Sequence, residues 1–416
     1  MLMREWVYLA LVDVIKKNTY SNLYLKDHLH EVDPKDRALA SNIFYGTLQN
    51  YDLCHYAWSR FTDGKVGSKT GILLTMSCYQ LLFLNKVPAY AVINDANKIA
   101  VHQLRGQKGL VNALLRKVKD VSLQLPNDPI EALALKTSMP KWLIQLWIKQ
   151  YSPQQAFKFA HASLEALPVV VRVNPLKWSI DEAKQCPRLR TFGQDYSEQT
   201  GLFIYTGNQI GHDVLYQEGK ISIQDPGSFE IAKWANVKAN QTVLDCCAAP
   251  GTKTMAMAEM AKDQAKIVAQ DVHEHRVRLI QQDAKRLNLT NIQARQQDST
   301  IVSDPLVQYD VVLCDVPCSG FGILSRKPDL KLRLDPKTID SLLPIQKELL
   351  IAAAKQTKVN GTLIYSTCTL DKKENEKQVE SFLVDHPNFV LEKDITIEPT
   401  SQNGGFYIAK LIKKEQ

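Results

Sequence analysis

One stretch constrains this chain more than any other: Val243-Leu244-Asp245-Cys246-Cys247-Ala248-Ala249-Pro250-Gly251-Thr252-Lys253-Thr254. It reads as a buried strand, a tight turn containing glycine, and the first turn of a helix over 255–260. A strand that ends in a carboxylate and turns on small residues into a helix gathers backbone N–H groups and the helix dipole at one point. In an α/β sheet that point lies at the carboxyl end of a strand, where ligands bind.

Two nucleotide-binding readings fail on the residues. A phosphate loop needs glycines where Cys247 and Thr252 stand, and the dinucleotide fingerprint needs three glycines where only Gly251 is found. The remaining reading is a turn of the kind found in sheets that bind S-adenosylmethionine, which has no phosphate but has an amino acid end to hold. The bland alternative is an ordinary strand-to-helix turn.

The chain beyond this turn has the pattern of an α/β domain. Strands are expected over 242–246, 266–271, 292–296, 310–314 and 361–366, with later ones near 389–391 and 406–411. Helices over 255–260, 275–287 and 345–358 alternate with them, which implies a mainly parallel, seven-stranded sheet. The earlier chain differs. Residues 1–125 repeat apolar positions at helical spacing, with segments near 36–46, 73–84, 93–104 and 110–118, and read as a helical bundle. Pro126-Asn127-Asp128-Pro129 marks a linker. Helical segments at 142–151 and from 153, and strands at 169–173, 202–205 and 221–223, then form a small α+β module. The expected division is therefore a helical domain over 1–125, a linker and α+β module over 126–235, and an α/β domain over 236–416.

Composition narrows the function. No apolar run approaches the ~20 residues that span a bilayer, and the start has no basic-then-apolar leader. The eight cysteines include no C-x-x-C pair for zinc or redox work, so no metal is expected and reduced thiols in a cytoplasmic protein fit. The net charge is +7, and residues 1–130 hold sixteen Lys and Arg against eleven Asp and Glu. That modest excess is compatible with nucleic acid without establishing it.

Three carboxylates, Asp245, Asp271 and Asp298, fall just past successive strands. Asp271 is placed to accept from a ribose diol or to cap the next helix. Asp298 can meet an adenine amino group or cap a turn. The fourth strand runs into Asp315-Val316-Pro317-Cys318-Ser319-Gly320, and the fifth into Ser366-Thr367-Cys368-Thr369. If those strands are neighbours, Cys318 and Cys368 face one pocket.

Thiols suit one kind of methyl transfer. Carbon 5 of a pyrimidine becomes nucleophilic only after a thiolate adds to carbon 6, and the thiolate needs a cation or helix N-terminus nearby. Asp315 could act as an acid toward the cytosine ring if burial raises its pKa. Cys54, Cys78, Cys186, Cys246, Cys247 and Cys314 read as core fillers.

On these motifs, with Glu374-Asn375-Glu376, residues 240–412 resemble the Nol1/Nop2/Sun family of RNA 5-methylcytosine methyltransferases. Residues 1–125 resemble the NusB family's RNA-binding helical domain through Tyr79-Gln80-Leu81-Leu82, Val87-Pro88, Asn94-Asp95-Ala96 and the run 109–116. Together they are similar to bacterial members that act on small-subunit (16S) rRNA. The resemblance implies Cys368 as nucleophile and Cys318 as an aid to product release, an order the spacing alone leaves open. It also implies that Cys247, Ala248, Ala249, Pro250, Gly251, Thr252, Lys253, Asp271, Arg276, Asp298 and Asp315 contact S-adenosylmethionine, with Lys253 near the target base or Asp315.

Thr252 departs from the family's usual second glycine, as do Asp225-Pro226-Gly227-Ser228 and Asn403-Gly404-Gly405-Phe406 from its usual loops. A monomer is expected, with rRNA as its partner and no membrane. Lys108, Arg116, Lys117, Lys119, Arg172, Arg326, Lys327, Lys331 and Arg333 are candidates to track phosphates, each with a solvated charge as the plain alternative. The competing readings are DNA cytosine methylation through Cys318, methylation of another RNA (tRNA or large-subunit rRNA), and a non-catalytic RNA-binding assembly factor.

Overall fold

The computed structural model describes residues 2–120, 122–302 and 305–415. They form two compact units: residues 1–165 with 324–334, and residues 166–323 with 335–416.

The first unit is helical. Helices Met3–Lys16, Ser21–His28, Arg37–Gln49, Tyr51–Ser59, Ser68–Phe83, Ala89–Gln103 and Lys108–Asp120 enclose one core that includes Trp6, Leu11, Ile43, Phe44, Trp58, Leu73, Ile99 and Leu115. Each such side chain, fully buried, contributes about 1.5–3 kcal/mol. The sequence suggests a break at 125, but packing carries the unit on to Glu165. Helix Pro129–Thr137 starts on Asp128, whose side chain accepts from the Glu131 N–H, and ends at Ser138 in a left-handed conformation. The Ser138 hydroxyl then accepts from Asp52 N at 3.1 Å, which ties the segment to helix Tyr51–Ser59.

Residues 324–334 leave the second unit's chain and pack into this first one. Their 3-10 turn, Pro328–Arg333, is fixed by polar bonds. Lys331 Nζ donates to Thr137 O at 2.9 Å and Gln49 O at 3.3 Å. Arg333 donates to Thr19 O at 2.6 Å, and Ser21 donates to Asp329. Lys331 is 4% exposed, and burial pushes its amine down to about 7. Lys331 is thus a buried structural residue and not a phosphate contact, and Arg333, half-buried, is held in the same turn.

The second unit begins with a small antiparallel sheet of β1 (Val170–Val173), β2 (Leu189–Thr191), β3 (Leu202–Tyr205) and β4 (Ile221–Ile223), in the order β2-β3-β1-β4. The period of two explains β1. Val171 and Val173 enter this module's own core with Phe203 and Ile221. Val170 and Arg172 face the other way, Val170 joining the core that holds Val243 and Met255. Arg172 there makes a bidentate pair with Glu259, Nε to Oε2 at 2.8 Å and Nη2 to Oε1 at 3.0 Å, both residues buried. It also donates to Gln224 Oε1. Arg172 too is withdrawn from the phosphate candidates, because an arginine in a buried carboxylate's fork cannot also reach a backbone outside.

The remaining strands are β5 (Thr242–Asp245), β6 (Lys266–Asp271), β7 (Ile292–Gln296), β8 (Tyr309–Asp315), β9 (Thr357–Thr367), β10 (Phe389–Ile397) and β11 (Phe406–Lys413). They form a seven-stranded sheet in the order β10-β11-β9-β8-β5-β6-β7. Six of the seven strands run in one direction, and β11 runs antiparallel to both of its neighbours, β10 and β9. Both faces are covered: Val243, Val311, Leu313 and Ile364 enter one core, and Leu244, Val312, Leu363 and Tyr365 the other. That is why these strands read as continuous apolar runs. The strand order reverses between β5 and β8, and the crevice at their carboxyl ends is where such sheets bind ligands.

Two helices differ from expectation. The helix after β5 runs Thr252–Met260, starting three residues early because Gly251, at φ +104°, makes the turn. The helix expected over 345–358 spans Pro336–Lys355. Asp335 caps it, accepting from Lys337 N at 2.9 Å, Pro336 occupies its first turn, and the helix continues through Pro344.

Candidate active site

The turn after β5 is built from backbone bonds. Ala248 N donates to Gln270 O at 2.8 Å, Gly251 N to Ala248 O at 2.7 Å, and Met255 N to Gly251 O at 2.9 Å. The Ala249–Pro250 peptide is cis. A Cβ on Gly251 would lie 3.3 Å from Met255 Cε, so the position is tight as well as conformationally special. Arg276 braces the turn from the next helix, donating to Ala249 O at 2.9 Å while paired with Asp271 Oδ2 at 3.2 Å.

Three carboxylates sit on this edge in different states. Asp245 is buried at the end of β5; Thr254 donates to its Oδ2 at 2.6 Å, while Oδ1 is buried with no hydrogen-bond partner among the described residues. Burial pushes its carboxyl up to about 7, against the Thr254 bond. Asp271, also buried, accepts from His273 N at 3.1 Å in the turn before the following helix, whose N-cap is His273 without a side-chain cap bond. Asp298 is exposed, and its Oδ1 accepts from Thr300 N at 3.0 Å and Thr300 Oγ1 at 2.7 Å. The turn-capping alternative thus describes Asp298 as the structure has it. Ser299 beside it reaches inward, donating to Gln270 Oε1 at 2.9 Å.

Strands β8 and β9 are parallel neighbours, with Asp315 opposite Ser366. This brings together the two loops singled out in the sequence. Cys318 Sγ and Cys368 Sγ are 3.3 Å apart, both half-buried, and Cys368 N donates to Cys318 Sγ at 3.3 Å. Gly322 N donates to Cys368 O at 3.0 Å; a Cβ on Gly322 would fall 2.0 Å from Gly405 O, so three loops meet too closely there for any side chain.

Lys253, expected near the target base or Asp315, has its Nζ 2.8 Å from Asp315 Oδ2. Asp315 Oδ1 accepts from Ser366 Oγ at 2.7 Å. Burial acts against the Lys253 charge, but Asp315, Cys368 and Asp245 outweigh it and hold its ammonium above the usual value. The Cys318 thiol is pushed well up, first by its bond to Cys368 and then by burial. The two sulfurs are within hydrogen-bond distance, and either can be the donor.

Among the other thiols, Cys54, Cys78, Cys246 and Cys314 are buried and Cys186 and Cys247 half-buried. Two departures from the family pattern meet in space: Asp225 Oδ1 accepts from Gly227 N at 2.9 Å and its Oδ2 from Gly404 N at 3.2 Å. One residue went unremarked in the sequence. Gln346, fully buried, donates to Pro317 O at 3.0 Å and to Glu374 Oε2 at 2.8 Å. Its signal was a lone amide on the helix face that also presents Ile339, Leu350 and Ala353 to the core.

Comparison with known proteins places this geometry in a family. Residues 232–412 match the family described as 16S rRNA methyltransferase RsmB/F. Residues 1–120 match the NusB family, and residues 139–196 the ferredoxin-like domain of RsmF/B-like methyltransferases. The probable ribosomal RNA small subunit methyltransferase B of Bacillus subtilis is 35% identical, over 94% of this chain and 89% of its own. The corresponding Synechocystis protein is 32% identical over 99% of each. A solved structure, PH0851, superposes with a TM-score of 0.82 at 25% identity, covering 99% of this chain and 98% of that one. Matched along nearly its whole length to relatives of this kind, the chain belongs to the RsmB/F family of 16S rRNA methyltransferases.

Proposed function

We propose that the chain methylates carbon 5 of a cytosine in 16S rRNA, using S-adenosylmethionine, with Cys368 as nucleophile and Cys318 assisting release. The observation that carries this reading is the pair of thiols 3.3 Å apart at the ends of adjacent parallel strands, beside the Lys253–Asp315 ion pair.

The cofactor edge fits that group. S-adenosylmethionine is cationic at its sulfonium and ammonium, and the edge offers Asp245, with an unpartnered buried oxygen, together with Asp271 and Asp315. Cys247, Ala248, Ala249, Pro250, Gly251, Thr252 and Lys253 form the turn that would hold it. Arg276 acts by fixing that turn and Asp271. Asp298, exposed on its own turn, is assigned to the outer end of the site. When bound, the cofactor supplies an electrophilic methyl group.

The chain's residues do the rest. Cys318 lies within hydrogen-bond distance of Cys368, and Lys253 lies close enough to favour negative charge on the Cys368 sulfur. The Cys368 sulfur bonds to carbon 6 of an unstacked cytosine, and the C5–C6 π pair moves onto carbon 5. Carbon 5 would take the methyl as the sulfonium S–CH₃ bond breaks to leave a neutral thioether; the carbon-5 proton passes to water, its C–H pair restores the double bond, and the C6–S bond breaks to release the Cys368 sulfur, a step Cys318 assists. Asp315, held by Lys253 and Ser366, is placed to meet the ring nitrogen directly or through Lys253.

The test is covalent trapping on 16S rRNA fragments carrying 5-fluorocytosine. Wild type and Cys318→Ala are expected to form the adduct and Cys368→Ala to form none. Adduct from Cys368→Ala but not from Cys318→Ala reverses the roles, and no adduct from wild type removes the mechanism.

A further inference from the structure

Two consecutive residues behind the thiols each hold one of the two cysteine loops. Glu374 and Asn375 are both fully buried, just before helix Glu376–Asp385. Glu374 serves the Cys318 loop. Its Oε2 accepts from Ser319 N at 2.9 Å and from Gln346 Nε2 at 2.8 Å, and its Oε1 accepts from the Ser319 hydroxyl. Asn375 serves the Cys368 turn. Its Oδ1 accepts from Thr367 Oγ1 at 2.6 Å, and its Nδ2 donates to Thr369 O at 3.1 Å. The residues on either side of Cys368 are therefore pinned by one amide, and the residue after Cys318 by one carboxylate.

The two halves are joined. Ser319 Oγ lies 2.6 Å from Thr369 Oγ1, and Tyr365 Oη donates to Glu374 O at 2.6 Å, which fixes the pair to β9. Burying a carboxylate is costly unless its oxygens are satisfied. Burial indeed raises the Glu374 carboxyl against the opposing bonds from Ser319 and Gln346. An apolar residue would fill such a place at less cost if nothing needed holding.

We infer that Glu374 and Asn375 are positioning residues with separate duties, Asn375 setting the Cys368 turn for attack on carbon 6 and Glu374 setting the Cys318 loop for release. The inference rests on the reading of the two thiols proposed above. It makes the two halves of the reaction separately breakable by neighbouring substitutions. Misplacing a reacting group by about 1 Å can cost on the order of 10²-fold in rate.

The test compares Glu374→Gln and Asn375→Ala with wild type in the full chain, on 5-fluorocytosine RNA and on unmodified RNA. With Glu374→Gln, an NH₂ group faces Ser319 or Gln346 donors that the carboxylate accepted. The expected result is adduct on unmodified RNA that decays roughly 10²-fold more slowly than in wild type, with trapping on 5-fluorocytosine retained. Asn375→Ala is expected to slow trapping itself by a similar factor and to accumulate nothing on unmodified RNA. In the free protein, iodoacetamide alkylation read by mass spectrometry should change chiefly at Cys318 in the first variant and at Cys368 in the second.

Ser319→Ala and Thr367→Val remove the same bonds from the other side and stand in if either variant fails to fold. If wild type traps but both variants lose attack and release together, in step with their melting temperatures, the residues are structural only and the inference is overturned. If wild type itself forms no adduct while alkylation still separates the two variants, the proposed chemistry fails and the positioning stands.

Discussion

Replacing Arg172 by Met separates a structural arginine from an RNA-binding one. The side chain fills the space between β1 and the helix that carries the cofactor turn, with two bonds to Glu259 at 2.8 and 3.0 Å and one at 3.4 Å to Thr252 O. Arg172→Met leaves the Glu259 carboxylate buried without its partner. Breaking a buried pair from one side costs about 3–5 kcal/mol. At about 2–4 °C per kcal/mol for a unit of roughly 150–250 residues, the melting temperature should fall by some 6–20 °C. The double variant Arg172→Met/Glu259→Met removes both charges and should recover most of the loss, since apolar replacement of a whole buried pair is often neutral. The assay is thermal or urea unfolding of the three variants, alongside RNA binding against salt. A slope of log affinity against log salt unchanged from wild type is expected. Unchanged melting with a shallower salt slope would refute the reasoning, since Arg172 would then be a phosphate contact.

Lys331→Met removes a buried amine whose folded value near 7 lies below its unfolded value of 10.5. The unfolded chain binds that proton first, so stability present above pH 10.5 is lost as pH falls toward 7. The advantage of Met over wild type should therefore grow by about 1.4 kcal/mol per unit over that window in urea melts; a constant difference would count against the burial. Gly251→Ala forces a side chain onto φ +104° beside Met255. It should cost about 1–3 kcal/mol in unfolding free energy and weaken S-adenosylmethionine binding in calorimetry, and an unchanged affinity would detach the turn from the cofactor. Lys108, Arg116, Lys117 and Lys119 are exposed on helix Lys108–Asp120. Changing Lys108 or Arg116 to Ala should weaken RNA binding and lower the salt slope by about 0.7–0.9 each, measured by filter binding; a slope that does not move would place the RNA elsewhere.

Much of the fold was legible because burial writes itself into composition. Strands covered on both faces, such as Val243-Leu244 and Val311-Val312-Leu313, carry apolar runs that admit few other readings. The thiol pair was legible because both motifs end neighbouring strands, and β8–β9 pairing does the rest. Polar residues buried by distant partners were not. Arg172 looks like any surface arginine until the period of two on β1 turns it toward Glu259, and Lys331 looks solvated until its loop is seen to end on two backbone carbonyls. Asp298 is a local case: its Oδ1 accepts from Thr300 N and Oγ1 in a two-residue turn, which the sequence alternative of a turn cap anticipates. Helix starts were misplaced where a single residue decides them, Gly251 in one case and the Asp335-Pro336 cap in the other. Gln346 was missed because its value lies in Pro317 and Glu374, which only the fold brings near.

The central claim is carbon-5 methylation of a cytosine in 16S rRNA through Cys368, and bisulfite sequencing of 16S rRNA reads it directly. In a deletion strain, one or more cytosines protected in the parent should convert. The wild-type gene should restore protection, and Cys368→Ala should leave those positions converted. Full protection in the deletion strain, or protection restored by Cys368→Ala, would contradict it.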